Sequence, residues 1–96
     1  MSCAFSELAE SDLLEIALHI ASDSPMRALS FVADIRRHCF SLAKNPGLYR
    51  LREEYGSGVR VAVHGNYLIF YAERRSGEVV IERVLHGARH LDWVQI

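Results

Sequence analysis

Side chains able to transfer protons or stabilise charge are concentrated in three β-forming runs between Gly58 and Arg89. Cleavage of RNA needs groups that activate the 2′-hydroxyl, stabilise the phosphorane charge and protonate the leaving oxygen, and these groups must share one exposed surface. Such a surface could be formed by Arg60, His64, Tyr67, Tyr71, Glu82 and His86. If the chain is a nuclease, we expect Arg60, Glu82 and His86 to be its catalytic residues.

The same residues also have structural explanations. His86 precedes a glycine, and at a strand end it could simply hold the terminal segment through a hydrogen bond. Arg60 could pair with Glu82 across a polar sheet face, a contact worth only about 0–1 kcal/mol when exposed. Tyr67 and Tyr71 are as often used for packing within a sheet as for binding. Residue type alone therefore leaves catalysis and structure as open alternatives.

The spacing of the three runs predicts an antiparallel meander. Gly65-Asn66 and Ser76-Gly77 separate the runs, and such dipeptides supply tight turns at little steric cost. A two-residue turn at Gly65-Asn66 pairs His64 with Tyr67 and puts only apolar residues on one face. That face carries Val59, Val61, Val63, Leu68, Phe70 and Ala72. We expect it to be the core, and the opposite, mixed face to be a working surface.

The position of Arg83 depends on the loop between the second and third runs. An even-numbered loop places Val79, Ile81 and Arg83 together on the core side. A buried guanidinium needs an acidic partner, for which Asp12 and Glu15 are the candidates. Asp12 and Arg83 are therefore predicted to have structural roles.

Two helices are predicted to position this sheet. Apolar residues recur at helical spacing over Glu7–Ala21, after the N-cap Ser6, and over Pro25–Lys44, after the N-cap Ser24. A short strand at 3–5 could join the sheet. The predicted fold class is α+β: a two-layer domain, residues 1–96, with an antiparallel sheet (short N-terminal strand plus C-terminal meander) covered on one face by an α-helical hairpin.

Composition narrows the possible functions. The chain has 96 residues, half of them hydrophobic, and 11 basic residues against 12 acidic ones. This balance gives no general attraction to nucleic acid. Cys3 and Cys39 show no metal-ligand spacing, and we expect no metal, other cofactor or small-molecule substrate. The sequence shows no signal peptide or membrane span, so a cytoplasmic protein with no membrane partner is expected.

The order of motifs resembles the ParE branch of the RelE/ParE superfamily of bacterial type II toxins. The likeness includes Ala9–Ile16 and Leu42-Ala43 in the helices, then Gly58-Val59-Arg60 and Tyr67–Tyr71 in the sheet. Its most specific part is the run Arg83-Val84-Leu85-His86-Gly87-Ala88-Arg89. The resemblance implies a toxin that is neutralised by a cognate ParD-like antitoxin and acts on DNA gyrase, whereas RelE-like relatives cut mRNA on the ribosome.

Within this resemblance, gyrase is the favoured target. RelE-like nucleases tend to carry a tyrosine where Trp93 stands, and tryptophan cannot exchange a proton. The residues expected to contact the target are Arg60, Tyr71, His86, Arg89 and Trp93. The antitoxin is expected to bind exposed leucines that fall off the main helical stripes, namely Leu14, Leu18 and Leu29. A ribosome-dependent mRNA endonuclease and a non-toxic protein-interaction module are the alternatives.

Overall fold

Two antiparallel helices form one layer of the domain. The computed structural model describes residues 2–96, with α1 at Glu7–Ala21 and α2 at Pro25–Leu42. Both predicted caps are present, because the side chain of Ser6 accepts the Ala9 N–H and that of Ser24 accepts the Arg27 N–H. Helix α2 ends two residues earlier than predicted. The chain leaves α2 through a tight turn that precedes Pro46, and the residue before a proline disfavours helical backbone angles.

A four-stranded sheet forms the second layer. Its strands are β1 (Cys3–Phe5), β2 (Val59–His64), β3 (Tyr67–Glu73) and β4 (Val79–His86), in the order β1-β4-β3-β2. The predicted hairpin register is confirmed, with His64 opposite Tyr67. The predicted α+β class is confirmed as well. Strand β1 runs parallel to β4, so the sheet is mixed rather than entirely antiparallel.

The helices cover the sheet face opposite to the one predicted. They pack on the mixed face, where Ala62, Ile69 and Tyr71 are fully buried. This cluster, the helical core, comprises Ala9, Leu13, Ile35, Cys39, Leu42, Ala43, Ala62, Ile69, Tyr71, Val79, Ile81 and Val84. The mixed face can be buried because its polar atoms find hydrogen-bond partners at the edge of the helical layer. The Tyr71 hydroxyl, for example, donates to the Pro46 carbonyl, 2.8 Å away.

The all-apolar face is covered by the end of the chain instead. Residues Val59, Val61, Phe70, Leu85 and Val94 form a second cluster, the tail core. The terminal segment 87–96 crosses this face, and the Ile96 N–H donates to the Tyr55 carbonyl, with an N–O distance of 2.7 Å. Coverage is incomplete, since 58% of the Val63 surface remains exposed. The prediction that Val63 belongs to the core is therefore wrong.

Strand β4 differs in two places from the register considered for an even loop. Glu73 pairs with Val79, so the loop has an odd number of residues, and a β-bulge follows between the pairs Tyr71–Ile81 and Phe70–Arg83. The bulge shifts the alternation by one residue. Both Val79 and His86 consequently lie on the helix-covered face, so the placement considered for an even loop does not apply. None of the helices in residues 2–96 is long and apolar enough to span a membrane.

Candidate functional site

A cleft of about 360 Å³ opens between α1 and the ends of β3 and β4. We call it the terminal cleft. Its polar and charged lining residues are Asp12, Glu15, His19, Tyr67, His86 and Arg89. The cleft lies where the Arg83–Arg89 run leaves the sheet, so the most specific part of the sequence resemblance forms one of its walls.

Asp12, which lines the terminal cleft, forms an ion pair with Arg83. Two parallel contacts join them, Nε to Oδ2 at 2.8 Å and a terminal guanidinium nitrogen to Oδ1 at 2.9 Å. Asp12 Oδ2 also accepts the Val84 N–H at 2.9 Å. Hydrogen bonding to Asp12 raises the pKa of the Arg83 guanidinium above its ordinary value. Of the two acids considered for Arg83, the structure pairs it with Asp12, and the contact fastens α1 to β4.

His86 is exposed at the mouth of the cleft. Its Nδ1 accepts the Ala88 N–H at 3.1 Å, which is the hydrogen bond to the terminal segment considered from the sequence. In the neutral ring the proton must then reside on Nε2, which is left available to a partner. The ring also packs edge-on against Tyr67, with centroids 5.2 Å apart.

Trp93 lies beside the cleft on the terminal segment. The guanidinium carbons of Arg83 and Arg89 lie 5.5 Å and 5.7 Å from the centre of its ring, within the range of cation–π attraction. Half of the Trp93 surface remains exposed, whereas its neighbour Val94 is buried in the tail core. Val94 thus anchors the segment, and Trp93 is presented to solvent among cations.

Three of the five predicted target contacts come together here, namely His86, Arg89 and Trp93. The other two do not. Tyr71 has no exposed surface, and its assignment as a target contact is wrong because the helices cover its side of the sheet. Arg60 lies on strand β2, and its guanidinium donates to the Tyr49 carbonyl.

The three residues considered for RNA cleavage do not converge on one point. The register places Arg60 opposite Tyr71 and His86 opposite Tyr67. Since Tyr67 and Tyr71 are four residues apart, Arg60 and His86 are separated by roughly 13 Å along the strands and by two strand spacings, roughly 10 Å, across them. Glu82 lies at the bulge between these levels. The suggested pairing of Arg60 with Glu82 is replaced by the contact with Tyr49.

The three leucines expected to bind the antitoxin line one groove between α1 and α2. This interhelical groove has a volume of about 600 Å³. Leu14, Leu18 and Leu29 are each more than 60% exposed. The charged side chains that line the groove, Glu10 and Arg36, are paired with each other. The surface offered to a partner is therefore almost wholly apolar.

Some residues of these surfaces were not identified from the sequence. Ala17 and Val32 also line the interhelical groove, but their spacing assigns them to core stripes. The contact of Arg83 with Trp93 depends on the fold of the terminal segment, for which the sequence gives no periodic signal.

Comparison with known proteins identifies the family of the chain. Residues 4–91 match the family model described as ParE toxin of type II toxin-antitoxin system, parDE. The chain belongs to this family. A search of curated proteins finds no significant match.

Two solved structures show the same fold. The first, from the chromosomal ParDE toxin-antitoxin system of P. aeruginosa, has a TM-score of 0.76 and 24% identity, covering 90% of this chain and 95% of that one. The second, from the RelBE2 toxin-antitoxin complex of Mycobacterium tuberculosis, has a TM-score of 0.66 and 27% identity, covering 92% of each chain. Relatives of both the ParE and the RelE type therefore share this architecture.

Proposed function

We propose that this ParE-family toxin acts by binding DNA gyrase in the bacterial cytoplasm, through the surface formed by His86, Arg89 and Trp93. The observation that carries the proposal is the exposed Trp93 ring with Arg83 and Arg89 against it. Tryptophan and arginine are the residues most enriched among those that dominate protein–protein binding energy. The surface thus has the character of a protein contact.

The arrangement of polar groups favours binding over RNA cleavage. The dispersal of Arg60, Glu82 and His86 leaves no shared phosphate position for the nuclease set. The terminal segment offers Trp93, which cannot exchange a proton, and loss of one general acid or base typically lowers a catalysed rate by about 10²- to 10⁴-fold. A gyrase-directed toxin needs no such group.

A supercoiling assay tests the target. The purified chain should impair supercoiling by gyrase or trap cleaved plasmid, and Arg89→Glu should weaken this effect about tenfold or more while leaving the circular dichroism spectrum unchanged. Arg75→Glu is the matched control, because it reverses an exposed charge in the turn at the other end of the sheet and should act like the unmodified chain.

Translating ribosomes provide the opposing test. Under the proposal they show no new mRNA ends when the chain is added. If codon-phased cuts appear and vanish in His86→Ala, while gyrase is unaffected, the proposal is wrong and the chain is a ribosome-dependent nuclease. If neither activity appears and expression leaves bacterial growth unchanged, the chain is a non-toxic interaction module.

We further propose that the antitoxin, a ParD-like protein, places an amphipathic helix in the interhelical groove. An apolar groove between two helices fits the apolar face of a third helix, whose anchors recur every three or four residues. Both similar structures come from toxin-antitoxin systems, which supports an antitoxin partner.

Affinity measurements with the antitoxin test the groove. Leu14→Glu combined with Leu18→Glu should weaken binding by at least about tenfold, because each substitution desolvates a carboxylate against apolar surface. Leu48→Glu is the matched control, since Leu48 is 66% exposed and lies outside the groove. Unchanged affinity in the double variant would assign the antitoxin to another surface.

A further inference from the structure

Two histidines from different layers meet at one end of the domain. His38 lies on α2 and His64 is the last residue of β2, and their Nδ1 atoms are 2.9 Å apart. The ring centroids are 5.1 Å apart, as expected when two rings meet nitrogen to nitrogen rather than stacked. This distance requires an N–H···N hydrogen bond in which one Nδ1 carries a proton and the other supplies a lone pair.

The surroundings offer little to stabilise a second proton. On α2 the acidic residue within one turn of His38 is Asp34, whose carboxylate is already bound to Arg37 at 2.8 Å. Strand β2 contributes the cation Arg60 and no acid. Strand β3 contributes Tyr67, directly opposite His64.

The pair is also connected to the terminal cleft by a row of rings. Phe31 of α2 packs against His64 and Tyr67, with centroid distances of 5.7 Å and 5.2 Å. Tyr67 in turn packs against His86 of β4 at 5.2 Å. A change in the position of the His64 ring would therefore affect both the helical layer and the residues at the mouth of the terminal cleft.

We propose that the His38–His64 hydrogen bond is a proton-operated latch between α2 and the edge strand β2. The latch is closed while the pair holds one shared proton and opens when a second proton makes both rings cationic. Two imidazolium rings would point N–H groups at each other across the gap, which removes the hydrogen bond and adds charge repulsion. This inference does not depend on the identity of the toxin's target.

The expected pH dependence follows from the folded and unfolded states. Burial, and then the charge of His64, lowers the pKa of His38 in the folded protein. The unfolded chain keeps the ordinary histidine value of about 6.5. Below that pH the unfolded state binds more protons, so stability falls as the pH drops from about 6.5 through the lower folded-state pKa.

Urea unfolding at about pH 7.5 and about pH 5.5 tests the latch. His38→Gln keeps an N–H that can donate to His64 but removes the titrating ring. The folded-to-unfolded ratio of the wild type should fall by up to about tenfold between these two pH values, because the unfolded-state pKa of about 6.5 lies about one unit above the lower pH, and this part of the fall should be absent in His38→Gln. The control His90→Gln removes a fully exposed imidazole and should retain the wild-type dependence. Equal pH dependence in the wild type and His38→Gln would overturn the proposal.

Nitrogen NMR of the imidazole rings gives a second readout that does not depend on stability. At about pH 7.5 one of the two Nδ1 atoms should be protonated and the other should be a bare acceptor. Once the pH falls below the lowered folded-state pKa of His38, the second proton should enter the pair and the contact between the two rings should be lost. Two unprotonated Nδ1 atoms at neutral pH would exclude the hydrogen bond and the latch with it.

Discussion

Each face of the sheet carries a buried apolar cluster, yet the two clusters are covered by different kinds of partner. The helical core is closed by two capped helices, and its residues come from both layers. The tail core is closed by the terminal segment, in which Val94 is the buried residue. A face covered by whole helices can open only with the fold, whereas a face covered by a short segment can open alone.

The largest expected effect comes from Ile69→Ala, in the helical core. Ile69 has no exposed surface, and truncation of a buried isoleucine typically costs about 2–5 kcal/mol. Urea unfolding should show this loss.

Cys39 is a second probe in a Cys3→Ser background, because burial raises the pKa of its thiol to about 12 and labelling of it should require global unfolding. Rapid labelling of Cys39 without a loss of stability would show that the helices open locally.

The next effect tests the ion pair that joins α1 to β4. Asp12→Ala leaves Arg83 without its partner in a mostly buried site, where such a loss costs about 3–5 kcal/mol when burial is complete. The Asp12 side chain is 11% exposed, so we expect about 2–4 kcal/mol.

Asp34→Ala is the matched control for Asp12→Ala. Its partner Arg37 is 75% exposed, and a surface pair of this kind contributes about 0–1 kcal/mol. Equal losses of unfolding free energy in the two variants would show that the Arg83–Asp12 contact has no special structural role.

The smallest expected loss of stability distinguishes the two sheet faces most directly. Val84→Ala and Val94→Ala remove the same atoms from residues that are each 1% exposed, one in each core. We expect Val84→Ala to cost about 1–3 kcal/mol and Val94→Ala to cost less, because the terminal segment can detach while the helical core stays closed.

Val94→Ala should also differ from Val84→Ala in its effect on activity. Detachment of the terminal segment moves Trp93, so gyrase inhibition should weaken while affinity for the antitoxin stays unchanged. A Val94→Ala variant that lost both activities equally, with a stability loss like that of Val84→Ala, would show that the two faces form one cooperative unit.

The sequence predicted the elements of this fold better than their assembly. The helix caps at Ser6 and Ser24 and the hairpin register follow from local chemistry, and each is confirmed. The choice of sheet face does not, because the partners of Tyr71 and Arg60 are carbonyls of Pro46 and Tyr49 in an irregular connection. No spacing in the sequence indicates the bulge that displaces Arg83.

The residues of the candidate functional surfaces could likewise be predicted only in part. Leu14, Leu18 and Leu29 could be found from the sequence, because an apolar residue that falls off a helical stripe must face solvent or a partner. Trp93 was found by type, but its position beside Arg83 and Arg89 depends on how the terminal segment folds back. Tyr71 was wrongly assigned as a target contact. Its side chain combines an apolar ring with a polar hydroxyl, and the ring is buried in the helical core.

The central position of β4 has a consequence for the timing of folding. Strand β4 is the last strand along the described chain, yet it lies between β1 and β3. Its Ile81 carbonyl accepts the Ser6 N–H, and its Val84 N–H donates to the Asp12 carboxylate. During synthesis, β1 has no strand to pair with and α1 has no sheet edge to bind until residues 79–86 have left the ribosome. Pairings of such long sequence separation form late. A nascent chain therefore cannot complete the two-layer fold before residues 79–86 have been translated, and the terminal cleft, which β4 lines, forms only after that point.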